Sequence, residues 1–165
     1  MATIDGKDLI AGRIATVVAK RLLLGESIDI VNCEKIVLTG SKDFIIKRFT
    51  QKRRMGIPLK GPYFPRDPER LIRRIIRGML PYKKDKGASA FKRLNCYVGV
   101  PENLKDQKME TIEGANVSKV PDLKFMNLKE ISKVLGSKIV ERMDKLEKWV
   151  RNQKYYKHQV LEKEQ

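Results

Sequence analysis

Ser27-Ile28-Asp29-Ile30-Val31-Asn32 packs three β-branched apolar residues into six positions, the pattern of a strand inside a sheet. Just before it, Gly25 stops a helix predicted over Asp8 to Leu24, where Ile10, Ile14, Val17, Val18 and Leu22 recur at helical spacing. Before that helix, Ala2 to Asp5 reads as a short opening strand. After the quoted stretch, Lys35 to Leu38 reads as another extended piece, and Gly40 turns the chain. Ser41 then stands at the cap of a helix to about Arg54, with Ile45 and Phe49 inward. Met55 to Pro65, with three prolines and two glycines, is a loop. Asp67 followed by Pro68 is an N-cap with proline at the first helical position, opening a helix to about Arg77. A short helix from Asp85 to Leu94 precedes a strand over Asn95 to Gly99, which Pro101 ends. Strands alternating with helices set the class as α/β, a layered domain with a largely parallel sheet.

Residues 102–126 read as mostly irregular, closing a domain over 1–126. A helical C-terminal extension follows over 127–165. Asn127 with Glu130 has the form of a capping box before Leu128, Ile131 and Leu135, and Gly136 ends that helix. Ile139, Met143, Leu146 and Val150 then form one apolar stripe on a long helix, to be buried on this domain or on a neighbouring protein. The remaining positions mix Glu141, Asp144 and Glu147 with Arg142, Lys145 and Lys148, a balance that favours protein over RNA as the helix's support. The last fifteen residues are too polar to assign.

Charge is unevenly placed. The window from Lys42 to Arg93 holds 17 of the 36 basic residues against Asp43, Asp67, Glu69 and Asp85, and so carries most of the net charge of +16. Concentrated positive charge on a folded protein points to a polyanion, above all nucleic acid. No stretch reaches the roughly 20 apolar residues of a membrane span, and Met1 to Asp5 has no signal-peptide pattern; a cytoplasmic protein is expected. Cys33 and Cys96 give no metal spacing and read as small buried residues, while His158 lies in a charged tail.

The sharpest local signal is the helix behind Asp67. At about 100° per residue, Arg66, Arg70, Arg73 and Arg77 share an arc of roughly 60°, with Arg74 beside them. Leu71, Ile72, Ile75 and Ile76 fall opposite. Arginine's planar fork grips phosphate oxygens in pairs. The candidate RNA-binding set adds Lys47, Arg48, Lys52, Arg53 and Arg54 from the preceding helix, and Lys60 and Tyr63 from the loop. Lys83, Lys84, Lys86, Lys92 and Arg93 complete it. Tyr63 or Phe64 either stacks on an unpaired base or closes the core. Catalysis finds no footing. Ala11 stands where a phosphate loop needs its second glycine, so Gly12 is read as allowing close helix packing, and no nucleophile–histidine set assembles. No cofactor, metal or small-molecule substrate is expected.

Several segments in order carry a resemblance. They are Ile4-Asp5-Gly6, Leu9-Ile10-Ala11-Gly12-Arg13-Ile14-Ala15, Ile30 to Gly40, Gly61-Pro62-Tyr63, Arg77-Gly78-Met79-Leu80-Pro81 and Arg93 to Gly99. Together they resemble the universal large-subunit ribosomal protein family L-thirteen over about residues 2–102, more weakly to about 146. Opening at the first strand and carrying a helical C-terminal extension, the chain is similar to the archaeal and eukaryotic branch. The resemblance implies a three-layer α/β/α domain with a four-stranded, mainly parallel sheet. It also implies large-subunit rRNA and neighbouring ribosomal proteins as partners, a part in early subunit assembly, and no catalysis. A free RNA- or DNA-binding regulator, such as an mRNA-binding translational repressor, is the alternative that the same basic face would serve.

Overall fold

Strand β1 (Ala2–Asp5), helix α1 (Ala11–Leu23) and strand β2 (Ile28–Val31) form the β-α-β unit that the quoted stretch anchors. In this computed structural model, residues 2–57, 59–120 and 124–163 are described, with side chains described up to residue 153. β1 and β2 pair in parallel, from Ala2 opposite Ile28 to Asp5 opposite Val31. All four residues of β2 are buried, so both faces of the sheet are covered at its centre, as parallel sheets require. α1 buries Ala11, Ile14, Ala15, Val18, Ala19 and Leu22, one stripe whose alanines bring the helix close to its neighbours. The helix starts three residues later than its periodicity suggests. Asp8 holds a positive φ of 56°, and Leu9 and Ile10 are drawn into bridges with Asn116 and Val37.

Two more strands, β4 (Leu94–Cys96) and β5 (Met109–Glu110), complete a four-stranded sheet in the order β4-β2-β1-β5, with every neighbour parallel. The α/β expectation is met, but one member of the sheet differs. The extended piece expected at Lys35 to Leu38 becomes β3 (Val37–Thr39), which leaves the sheet and pairs antiparallel with β6 (Phe125–Asn127). The cause is local: Asn32 adopts the left-handed region and starts a 3-10 turn over Cys33–Lys35, redirecting the chain. The vacant edge is filled by β5, from the run expected to be irregular.

The remaining helices are α2 (Lys42–Arg54), α3 (Pro68–Met79), α4 (Asp85–Lys92), α5 (Leu128–Val134) and α6 (Lys138–Lys163). Ser41, Asp67 and Asn127 stand at the expected N-cap positions with extended backbone, yet none of their side chains caps its helix. Asp67 instead accepts a hydrogen bond from Ser137 Oγ at 2.6 Å, joining the starts of α3 and α6. Leu128, Ile131 and Leu135 of the α5 segment enter the same apolar cluster as Ile4, Ile14, Ile30 and Ile72. Among the α6 residues, Val140 is fully buried, while Leu146 and Val150 of the predicted stripe are 63% and 45% exposed and Ile139 and Met143 half-buried.

Gly12 proves to be exposed, with nothing near the place a Cβ would take, so it does not mediate close packing. Gly6 does: a Cβ there would lie 2.8 Å from Ile36 Cγ1 and 2.9 Å from the Val31 carbonyl. Cys33 is buried and Cys96 half-buried, both free. α6 carries the helix through the polar tail to Lys163; the side chain of His158 lies outside the described residues.

Candidate nucleic-acid interface

α3 divides as its sequence predicts. Leu71, Ile72 and Ile76 are buried in the core cluster and Ile75 packs against it. On the opposite side Arg66 and Arg70 are exposed, and Arg73, Arg74 and Arg77 are half-buried. The half-buried three are held by aromatic rings. The Arg73 guanidinium lies 4.8 Å from the centre of Phe91, that of Arg74 4.7 Å from Phe64, and that of Arg77 4.9 Å from Tyr82. Stacking fixes a guanidinium plane while leaving its edge donors free for another acceptor. Arg74 donates one hydrogen bond, to the Tyr63 carbonyl at 3.3 Å. Arg73 Nε is buried without a protein acceptor. Arg70, Arg73, Arg74 and Arg77 line an open cleft of about 480 Å³ with Pro65 and Phe91.

α2 supplies the second bank. Ile45 is buried, and Phe49 meets Phe64 edge to face at 5.8 Å between ring centres. Lys52 Nζ sits over both rings, 5.7 and 5.9 Å from their centres. Burial pushes the Lys52 ammonium below its ordinary pKa, and the positive charges of Arg48 and Arg74 push it further down. Lys47, Arg48, Arg53 and Arg54 are exposed. The only ion pairs of the Lys42 to Arg93 window among the described residues are two loose ones. They are Lys42 with Glu130 at 3.8 Å and Arg70 with Asp67 at 3.7 Å. A surface balanced by its own acids is therefore absent here, and the uncompensated field awaits an external anion.

The loop after α2 separates its two aromatic residues. Phe64 packs on the core, whereas Tyr63 is 72% exposed and donates its hydroxyl to the Leu59 carbonyl at 3.0 Å. Lys60 is exposed on the same loop. Arg53, Arg54, Tyr63 and Arg66 share a cleft of about 580 Å³ with the loop backbone. Lys83 and Lys84 are exposed on the turn into α4, Lys86 in its first turn and Lys92 at its end. Arg93 differs from these. It is half-buried, and its Nη2 donates to the Leu22 carbonyl at 2.8 Å, closing the C-terminus of α1.

Sequence reasoning missed the rings beneath the arginines. Phe64 and Phe91 lie far in sequence from Arg74 and Arg73, and no spacing rule links them. It also missed Lys138, which shares a cleft of about 450 Å³ with Tyr63, Arg66, Asp67, Arg70 and Ser137.

A family pattern, Ribosomal protein L13, matches residues 1–103, a span that contains every candidate basic residue. The chain is 44% identical over 138 residues to a protein of Methanococcoides burtonii, covering 84% of this chain and 99% of that one. It is 47% identical over 139 residues to a protein of Methanosarcina barkeri, with the same coverage. A protein of Methanocaldococcus jannaschii is 47% identical over 142 residues, again 84% of this chain and 99% of the relative. Each of the three is named large ribosomal subunit protein uL13. With the family pattern over most of the folded domain and archaeal relatives matched almost end to end, the chain belongs to the ribosomal protein L13 family, in its archaeal-type branch.

Proposed function

We propose that this chain is a structural protein of the large ribosomal subunit in the cytoplasm, and that it binds large-subunit rRNA through the basic face of α2, α3 and the loop between them. The observation that carries the reading is the row of guanidinium groups on α3, backed by aromatic rings and almost without acidic partners. Such groups neutralise phosphates of separate RNA segments and hold them together while the RNA folds, with released counterions supplying much of the free energy. RNA shape rather than base sequence would set specificity. This suits a part in early subunit assembly, and it needs no catalytic group. Residues 1–126 carry the RNA-binding domain, and 127–165 form an extension rooted in its core through α5. Arg93, engaged with α1, lies outside the interface; the other candidate basic residues from Lys47 to Lys92 and Tyr63 belong to it.

Neighbouring proteins of the subunit are the partners we assign to the stripe of Ile139, Met143, Leu146 and Val150. Its outer part stays exposed along α6, and an amphipathic helix gains most of its stability by covering such a face.

The test uses Arg66→Gln with Arg70→Gln, because both side chains are exposed and neither stacks on a ring. Affinity for protein-free large-subunit rRNA should fall, and its dependence on salt should become shallower by about one unit of slope per lost phosphate contact. The thermal midpoint should not move. Unchanged affinity in the double variant would refute the interface. A free regulator would leave large particles in a moderate salt wash, whereas a subunit component co-sediments with them.

A further inference from the structure

Two of the three acids that set α6 against RNA, Asp144 and Glu147, are tied to α5 rather than left free. Lys129 Nζ holds Glu147 at 2.7 Å and Asp144 at 3.2 Å, and Lys133 Nζ holds Asp144 at 2.7 Å. Both carboxylates are thus turned toward α5 and neutralised within the chain. With about 100° per residue, Lys138, Arg142, Lys145 and Trp149 then fall within an arc of about 60°. All four are exposed, Trp149 by 61%. No acid pairs with Lys138, Arg142, Lys145 or Lys148 among the described residues; Glu141, beside the arc, is the one acid left without a cation there. The apolar stripe occupies a different side of the helix.

The arc begins where the α3 row ends, since Lys138 lines the same cleft as Arg66 and Arg70. The two surfaces meet at this cleft, and from Lys138 to Trp149 α6 carries its arc on for roughly 16 Å at about 1.5 Å per residue.

We propose that this face of α6 is a second RNA-contacting surface. Lys138, Arg142 and Lys145 follow the phosphates of a strand leaving the α3 face, and Trp149 stacks on an unpaired base at the far end. The inference rests on the α3 face being the rRNA surface. RNA fits better than an acidic protein segment because the cations start at the cleft that Arg66 and Arg70 line, and because an exposed indole at the end of a basic track is a stacking platform.

The experiment measures binding of the full chain to protein-free large-subunit rRNA over a range of salt. In Lys138→Gln/Arg142→Gln/Lys145→Gln, affinity should drop about tenfold or more, and the salt slope should become shallower by two to three units, about one per contact. Trp149→Leu should lose affinity several-fold with the slope unchanged, because stacking releases no counterions. Glu141→Lys, which removes no packing, should bind more tightly and with a steeper slope. This holds the test open even if the triple variant folds poorly. If the triple variant and Glu141→Lys both keep wild-type affinity and slope while Arg66→Gln/Arg70→Gln weakens binding, this inference is overturned and the α3 reading stands. If none of them changes binding, both fall. A triple variant that binds naked rRNA normally but no longer enters the particle would make the partner an acidic protein and would also overturn the proposal.

Discussion

Arg73, Arg74 and Arg77 each lie against a ring, and this sets how they differ from lysines at the same positions. A lysine there would keep the charge but lose the planar contact that fixes its direction. Phe91→Leu should therefore lower rRNA affinity several-fold although no charge changes, and leave the salt slope near that of the wild type. It should also lower stability by about 1 kcal/mol, the size of a partly desolvated cation–π contact. Binding followed by fluorescence anisotropy over a salt series, beside a thermal melt, checks both. An affinity equal to wild type would mean that Arg73 does not need its ring. The arginine arc was legible because 3.6-residue spacing is a property of the sequence alone. The rings were not, since Phe64 and Phe91 reach α3 only after the loop and α4 have folded onto it. Tyr63 and Phe64 illustrate the same limit: adjacent aromatics with opposite fates, decided by Phe49 waiting on α2.

At the level of elements, the joint between α5 and α6 depends on pH in a defined direction. Hydrogen bonds from Lys133 and then Lys129 hold Asp144 below the usual carboxylate range. A depressed carboxylate contributes stability that is present above its unfolded pKa of about 3.9 and lost as pH falls through the folded value. Burial works to lower the pKa of Lys129, but its bonds to Glu147 and Asp144 outweigh this and raise it. That contribution is fully present below the unfolded lysine pKa and lost only as pH rises through the raised one. The joint should therefore hold from mild acid to alkaline pH and loosen below about pH 4. Asp144→Asn should loosen it at neutral pH by about 0.5 to 1 kcal/mol, as suits a partly exposed network. Faster amide exchange in α6 than in α1 would report the loosening; identical exchange in variant and wild type would count against it. Among the elements, α1 and α3 were legible through their periodicity. β5 was not. Two residues, Met109 and Glu110, carry no pattern, and only the open edge of β1 makes them a strand. β3 was legible as extended chain, but the turn begun by Asn32 chose its partner.

For the whole molecule the positive charge is concentrated between Lys42 and Arg93, so its binding should be governed by ionic strength. If about six to ten phosphates are neutralised, affinity for rRNA should fall by roughly 10³ to 10⁵ between 50 and 200 mM salt. A constant that barely moves across that range would mean the basic window is not the contact surface. The sheet itself carries a further consequence. β1 needs β5, with Thr3 beside Met109, and β3 needs β6, with Val37 opposite Asn127. A chain leaving the ribosome from its N-terminus therefore exposes its entire cationic segment before the strands that complete its fold have been made. Non-local pairing of this kind is slow, and an unfinished polycation binds any nucleic acid it meets. The newborn protein thus offers its polycation to RNA before it has the surface that makes the grip specific.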